Sequence, residues 1–205
     1  MGSYDKKKVE ILDVETGYNK FYKDYKKSHK FLANFDKNLW QRFVSRDLKW
    51  KTIVDLGCGD GRISNFFVWK HIQEYIWIDI SENMLNQTKS YVRKIKHNLN
   101  LPFPLEDNSA DVVLSLFTLI HIDNLQNFFE EVYRIMKEDG IFVIFHHIER
   151  KNYVFKDGNK EYKIESNKWS YKQIEDLLEY NFFKFKVYDV MEWNVLIWKY
   201  FIANK

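Results

Sequence analysis

The sequence predicts an α/β fold: a mainly parallel, doubly wound sheet of seven strands, with helices on both faces and a reversed strand at its C-terminal side. Three observations carry the prediction. Short apolar runs alternate with amphipathic stretches from Thr52 onward, as in repeated strand, helix, strand units. The first run passes directly into a cluster of glycines. The last two runs are joined too closely for the crossover that parallel strands need, about a dozen residues, so they are antiparallel to each other.

In chain order, Thr16 to Leu48 carries Tyr18, Phe21, Tyr22, Tyr25, Phe31, Leu32, Phe35, Leu39, Trp40, Phe43 and Val44 at helical spacing, which predicts one or two amphipathic helices. From Thr52 a strand, Ile53-Val54-Asp55-Leu56, meets the glycines and then a helical stretch with Ile63, Phe66 and Phe67. Tyr75 to Ile80 is a second strand, and Ser81 caps a helix bearing Met84, Leu85 and Thr88. A third strand lies within Tyr91 to His97, before Leu101-Pro102-Phe103-Pro104 breaks regular structure. Asp111 to Phe117 is apolar and β-branched enough for a buried fourth strand, with the helix before it short or missing. Asp123 with Gln126 then caps a helix through Leu125, Phe128, Phe129, Val132, Ile135 and Met136, which Gly140 closes before a fifth strand, Ile141 to Phe145. In the tail, Tyr153 to Phe155 and Tyr162 to Ile164 form a hairpin around Asp157-Gly158. Ser170 and Gln173 cap a helix with Ile174, Leu177 and Leu178, and the strands Phe182 to Val190 and Val195 to Ala203 end the chain.

A chain of 205 residues suits one domain. Its expected parts are an N-terminal helical lid or packing segment (1–48), a core (52–148) and a hairpin, helix and strand pair (149–205). No apolar run approaches the roughly 20 residues of a membrane span, and the start of the chain lacks a secretory pattern. The single cysteine, Cys58, excludes a disulfide framework and a multi-cysteine metal site, so a cytoplasmic protein without a metal is expected. The net charge of +3, with lysines interleaved among acids, shows no concentrated basic face, so nucleic acid is not the favoured partner. Lys6-Lys7-Lys8 and Lys26-Lys27 are solvated faces. The aromatic share of 18% fills the core of a chain poor in alanine, with a stacking surface as the alternative.

Chemistry is concentrated in Gly57-Cys58-Gly59-Asp60-Gly61, between the first strand and the next helix. Glycines there let the backbone turn sharply and approach a ligand, and a nucleotide-like ligand is the natural guess. Asp79, eighteen residues past Gly61, ends the second strand, where a carboxylate can accept hydrogen bonds from both hydroxyls of an adenosine ribose.

Four segments carry a resemblance: Asp55-Leu-Gly57-Cys-Gly59-Asp-Gly61; Ile78-Asp79-Ile80-Ser81-Glu-Asn-Met84-Leu85; Leu101-Pro102-Phe103 with Asn108-Ser109-Ala110-Asp111-Val112-Val113; and Glu131-Val-Tyr-Arg134-Ile-Met-Lys137-Glu-Asp-Gly140. Over roughly residues 52 to 148, this sequence resembles the class I S-adenosylmethionine-dependent methyltransferases, in particular the methyltransferase type 11 group. The resemblance implies a Rossmann-like fold and S-adenosyl-L-methionine as cofactor. It implies cofactor contacts from Asp55, Gly57, Cys58, Gly59, Gly61, Asp79 and Ile80, and from His97, Asn98, Ser115 and Leu116 at the next strand ends. His97 stands where the group usually carries an acid that meets the adenine. Ala110 and the worn turn Lys137-Glu138-Asp139-Gly140 also depart from the pattern.

Methyl transfer needs a base only where the acceptor must lose a proton. His121, His146 and His147 leave the fourth and fifth strands at the ligand-binding ends of the sheet, with Asp123 and Glu149 as acidic alternatives. Tyr18, Tyr22, Phe117, Tyr153 and Phe155 are the candidate acceptor contacts. The N-terminal helix resembles the segment that closes over the cofactor, and the acceptor site is expected between it and the hairpin. A small-molecule acceptor is expected, with RNA as the rival within the class. A nicotinamide-dependent oxidoreductase is a second rival, although its fingerprint places two residues between the second and third glycines and this chain places one. A non-catalytic binding module is the third.

Overall fold

The computed structural model describes residues 9–28, 48–66, 71–87, 92–147, 154–192 and 195–205. The chain opens with a short strand, β1 (Val9–Leu12), and a helix, α1 (Val14–Ser28). The sheet then begins with β2 (Thr52–Leu56), buried at every residue, as its unbroken apolar run requires. The glycine loop leads into a 3-10 turn at Arg62–Phe66. β3 (Glu74–Asp79) follows, then a single helical turn, α2 (Glu82–Leu85), and β4 (Arg93–Lys96). β5 (Ala110–Leu116) is buried throughout; α3 (Leu125–Ile135) and β6 (Met136–His146) come next. The hairpin β7 (Phe155–Asp157) and β8 (Lys160–Ile164) precedes α4 (Tyr171–Tyr180), β9 (Lys184–Glu192) and β10 (Val195–Asn204).

Seven strands form one sheet in the order β4-β3-β2-β5-β6-β10-β9. The pairs from β4 to β6 are parallel, and β10 runs antiparallel to both β6 and β9. Period-2 alternation sends Val54, Leu56, Ile76, Ile78 and Val113 to one face, under Phe128, Phe129 and Val132 of α3 and Ile174 and Leu178 of α4. The opposite face collects Ile53, Tyr75, Trp77, Leu114, Val143, Phe145 and Trp198. Among the described residues, no helix is long and apolar enough to cross a membrane.

Several boundaries differ from the sequence expectation. Asn124, not Asp123, caps α3, its side chain accepting from the Asn127 amide at 3.2 Å. Asp123 instead accepts from Asn167 at 3.1 Å, while Gln126 turns to Glu130. Gly140 does not close a helix: α3 ends at Ile135, and β6 is paired from Met136, with a register irregularity between Ala110 and Val112. A Cβ on Gly140 would stand 2.7 Å from the Lys137 carbonyl, so this irregularity needs glycine there. The hairpin turn is Gly158-Asn159, one residue later than expected, because Asp157 pairs with Lys160. The stretch after the glycine loop is 3-10 over Arg62–Phe66. β1 is unanticipated; it pairs in parallel with β8, so that a second sheet, β1-β8-β7, stands apart from the main one. Helical expectations at Phe31 to Val44, Phe67 and Thr88, and the strand start at Tyr91, lie outside the described residues, as do Glu149 and Tyr153.

Candidate functional site

The parallel strands bring their carboxyl ends together on one side of the sheet, where open α/β sheets bind ligands. At the end of β2, Gly57, Gly59 and Gly61 have φ of 72°, 57° and 67°. Their reasons differ. A Cβ on Gly57 would stand 2.3 Å from Thr118 Oγ1, and one on Gly61 would stand 2.0 Å from the Trp77 ring. On Gly59 the nearest atom would be Met84 Cε at 3.4 Å, an ordinary contact. Gly57 and Gly61 therefore serve the packing of the loop, whereas Gly59 faces space that no described residue fills. The amides of Gly57 and Cys58 donate to the Ile78 carbonyl at 2.8 and 3.2 Å, tying the loop to β3.

Asp79 completes that tie. Its Oδ2 accepts from the Gly59 amide and its Oδ1 from the Ser81 amide, both at 2.8 Å. Burial pushes its carboxyl above the usual range, while the two amides pull it back. A carboxylate has more lone pairs than these two bonds occupy, so it still accepts from a ligand. Ile80 follows, partly buried. Ser81 caps α2, accepting from the Met84 amide at 3.2 Å.

Asp55 is 2% exposed and accepts from the Tyr75 hydroxyl at 2.9 Å. Cys58 is buried, and burial drives its thiol well above its ordinary range, which makes it a packing group rather than a nucleophile. His97 stands just beyond β4, its amide donating to the Asp79 carbonyl at 2.9 Å. Its Nε2 is buried with no hydrogen-bond partner among the described residues. Asn98 shapes the following turn by accepting from the Asn100 amide. Ser115 and Leu116 are buried at the end of β5, and Ser115 Oγ also has no described partner.

Phe117 has φ of 63°, a left-handed conformation that costs a bulky side chain roughly 1–2 kcal/mol. Its ring meets Phe145, His147 and Trp198 at 4.7, 5.3 and 5.7 Å between centroids. The Arg62 guanidinium lies 5.8 Å from it. Strain of this kind at a strand end gathers at binding sites.

His121 and His146 are placed by one loop, whereas His147 lies against the Phe117 ring. The Glu165 carbonyl accepts from His121 Nδ1 and the Trp169 carbonyl from His146 Nε2, both at 2.8 Å. His146 is the last residue of β6 and fully buried; burial lowers its imidazole to about 4. Burial lowers His121 likewise to about 4. The Tyr18 hydroxyl meets His121 Nε2 at 2.7 Å.

α1 crosses these strand ends. Asn19 Oδ1 accepts from Ser81 Oγ at 2.8 Å and from the Asn83 amide at 3.2 Å, while Asn83 donates to the Asn19 carbonyl at 2.9 Å. Glu15 pairs with Lys96 at 2.6 Å. Behind, Phe21 stacks on Phe155 at 4.6 Å, and Lys20 pairs with Asp157 at 2.8 Å. Phe155 is thus turned toward α1, and Tyr22 lies with the Lys23 ammonium 5.6 Å from its ring centroid. The structure brings Gly59, Asp79, His97, Phe117, His121 and Tyr18 to one side of the sheet. Asn19 and the Glu165 to Trp169 loop were missed, because lone polar residues in an aromatic helix or a coil carry no pattern.

The third and fourth matched segments prove to be one unit. Arg134 donates to the carbonyls of Phe103 and Leu105 at 3.1 and 2.8 Å and pairs with Glu131 and Asp107, both at 2.7 Å. Glu131 in turn accepts from the Phe103 amide.

This topology, with a glycine turn facing an acidic strand end, defines an α/β domain of the class that holds nucleoside-like ligands above its sheet. Residues 54–144 match the family model described as a methyltransferase domain. An uncharacterized protein of Methanocaldococcus jannaschii is 30% identical over 148 residues, 69% of this chain and 54% of that protein. Demethylmenaquinone methyltransferase of Leptospira interrogans is 26% identical over 145 residues, 63% of this chain and 58% of that enzyme. The chain spans little more than half the length of either relative. An S-adenosylmethionine-dependent methyltransferase from Archaeoglobus fulgidus superposes with a TM-score of 0.69 at 17% identity, covering 90% of this chain and all of that one. The matched residues are a class I S-adenosylmethionine-dependent methyltransferase domain, and S-adenosylmethionine is the methyl donor of that class.

Proposed function

We propose that the protein transfers the methyl group of S-adenosylmethionine to a small-molecule acceptor. The observation that carries this reading is the open face at Gly59 beside a buried carboxylate, Asp79, within a matched methyltransferase domain. These residues fit an adenosyl group. Gly59 leaves room for it, Asp79 keeps lone pairs for the ribose hydroxyls, and His97 Nε2, buried without a partner among the described residues, is a polar atom available to the base. When bound, the cofactor supplies a sulfonium-activated methyl group, so the protein's work is alignment and exclusion of water, where positioning contributes several kcal/mol. α1 crosses the strand ends with the hairpin packed against it, and aromatic side chains there suit an apolar or planar acceptor. The interleaved charges, with a net of +3, favour a small molecule over RNA.

Replacing Asp79 with Ala tests the reading. Two hydroxyls lose a charged acceptor, so affinity for S-adenosylhomocysteine should fall by about ten- to hundredfold, or roughly 1–3 kcal/mol. Calorimetry that finds equal affinity in mutant and parent removes Asp79 from the site.

A further inference from the structure

We propose that Tyr18 is a catalytic residue that takes the proton of the methyl acceptor and relays it to His121, so that the acceptor is an aromatic hydroxyl. This rests on the methyl-transfer reading above and names its substrate class.

The tautomer follows from the geometry. A carbonyl only accepts, so the His121 nitrogen 2.8 Å from the Glu165 carbonyl, Nδ1, carries the hydrogen. In a neutral imidazole the other nitrogen, Nε2, then bears the lone pair and accepts from the Tyr18 hydroxyl at 2.7 Å. Burial holds the imidazole neutral, with its proton affinity lowered to about 4. The loop that fixes it is itself pinned: the Asn167 amide donates to the Ile120 carbonyl at 2.6 Å, and Asn167 Nδ2 and Trp169 Nε1 donate to the Ile122 carbonyl at 2.9 and 3.1 Å. On the other side, Asn19, next to Tyr18, is bonded to the turn after Asp79. The Tyr18 hydroxyl is therefore held between the ribose end of β3 and the turn that follows β5, the region that a transferred methyl group would face.

The chemistry balances. The acceptor O–H bond breaks, and its proton passes to Tyr18 Oη as the proton of Tyr18 passes to His121 Nε2. The freed electron pair on oxygen forms the bond to the methyl carbon, and the methyl–sulfur bond breaks with its pair left on sulfur. One positive charge disappears from sulfur as one appears on His121, so the site's net charge is conserved. This offsets the burial that disfavours imidazolium before transfer. An amine attacks with a free lone pair and needs no such relay. An aliphatic alcohol holds its proton too tightly for so weak a base, whereas a phenol, near 10 as for tyrosine, is within reach of a concerted transfer. Aromatic neighbours suit a ring: Tyr25 meets Tyr18 edge-on at 5.8 Å, and Phe117 meets His147 at 5.3 Å. Among the described residues, the titratable and charged groups around the pair include His147 against His121, Tyr25 against Tyr18, and Arg62, Asp60 and Asp79 around Tyr25.

The test has two arms. In ring-15N-labelled protein bound to S-adenosylhomocysteine, His121 should show a protonated Nδ1 and no titration from about pH 8 to 5, and Tyr18→Phe should shift Nε2 alone. Tritiated methyl transfer from S-adenosylmethionine is then measured to phenol, catechol, thiophenol and aniline. Phenols should be methylated. Tyr18→Phe and His121→Asn should lower kcat by about a hundredfold or more while KM and cofactor affinity persist. Variant rates should climb with pH toward the ionisation of the phenol, where the parent profile is level. Unchanged kcat, parallel pH profiles, transfer to thiol or amine alone, or no transfer to any phenol would each overturn the proposal. Failure of the underlying reading shows separately, as calorimetry in which neither S-adenosyl ligand binds.

Discussion

Gly57, Gly59 and Gly61 share a positive φ, yet among the described residues only the outer two are required by packing. Gly59→Val should therefore leave the circular dichroism spectrum intact, at a backbone cost of roughly 1–2 kcal/mol, and abolish cofactor binding. Gly61→Val, driven into the Trp77 ring, should unfold the protein. Loss of fold in both would show that Gly59 is structural too. The glycine cluster and Asp79 are legible in the sequence as a motif, but the division of labour within it is not, since it depends on Thr118 and Trp77 arriving from other strands. His146 shows a second limit. Its position at a strand end is legible, whereas its burial under Trp169 comes from a loop with no pattern. That burial has a measurable consequence. The folded state keeps His146 neutral down to about 4, while the unfolded chain takes up a proton near 6.5. The unfolded state thus binds more protons between these values, and stability falls as pH drops through that window, by up to roughly 3 kcal/mol. His146→Gln, which keeps a donor for Trp169, should flatten that part of the urea-midpoint profile. A profile parallel to the parent's would contradict the burial argument.

α1 is the element on which the site's two halves meet. Its aromatic spacing is legible, but Asn19 is not, and neither is β1, four residues whose partner β8 lies some 150 positions away. Local pattern cannot report a pairing that exists only after the hairpin has folded. Because Asn19 is bonded to Ser81 and Asn83, ordering of the ribose end should be felt by the helix. Hydrogen exchange should slow over residues 14–25 as well as 57–61 when S-adenosylhomocysteine is added, and Asn19→Ala should confine the protection to the loop. Protection confined to the loop in the parent would make α1 a packing element and separate it from the cofactor.

At the scale of the whole molecule, the mainly parallel, doubly wound sheet was legible because strands and helices alternate along the chain, whereas the order β4-β3-β2-β5-β6-β10-β9 emerges only from the long-range pairings. That β9 and β10 are antiparallel to each other followed from the short link between them, and the reversal of β10 against β6 matches the reversed last strand that the resemblance implied. What alternation does not distinguish is one nucleoside ligand from another, since a glycine turn and an acidic strand end serve nicotinamide cofactors as well. Gly59 and Asp79 are proposed to receive an adenosyl sulfonium. Isothermal titration calorimetry with S-adenosylmethionine, S-adenosylhomocysteine and NADH tests it most directly. Both S-adenosyl ligands should bind, with binding lost in Gly59→Val, and NADH should give no heat. Binding of NADH in place of the S-adenosyl ligands, or of none of the three by folded protein, would contradict it.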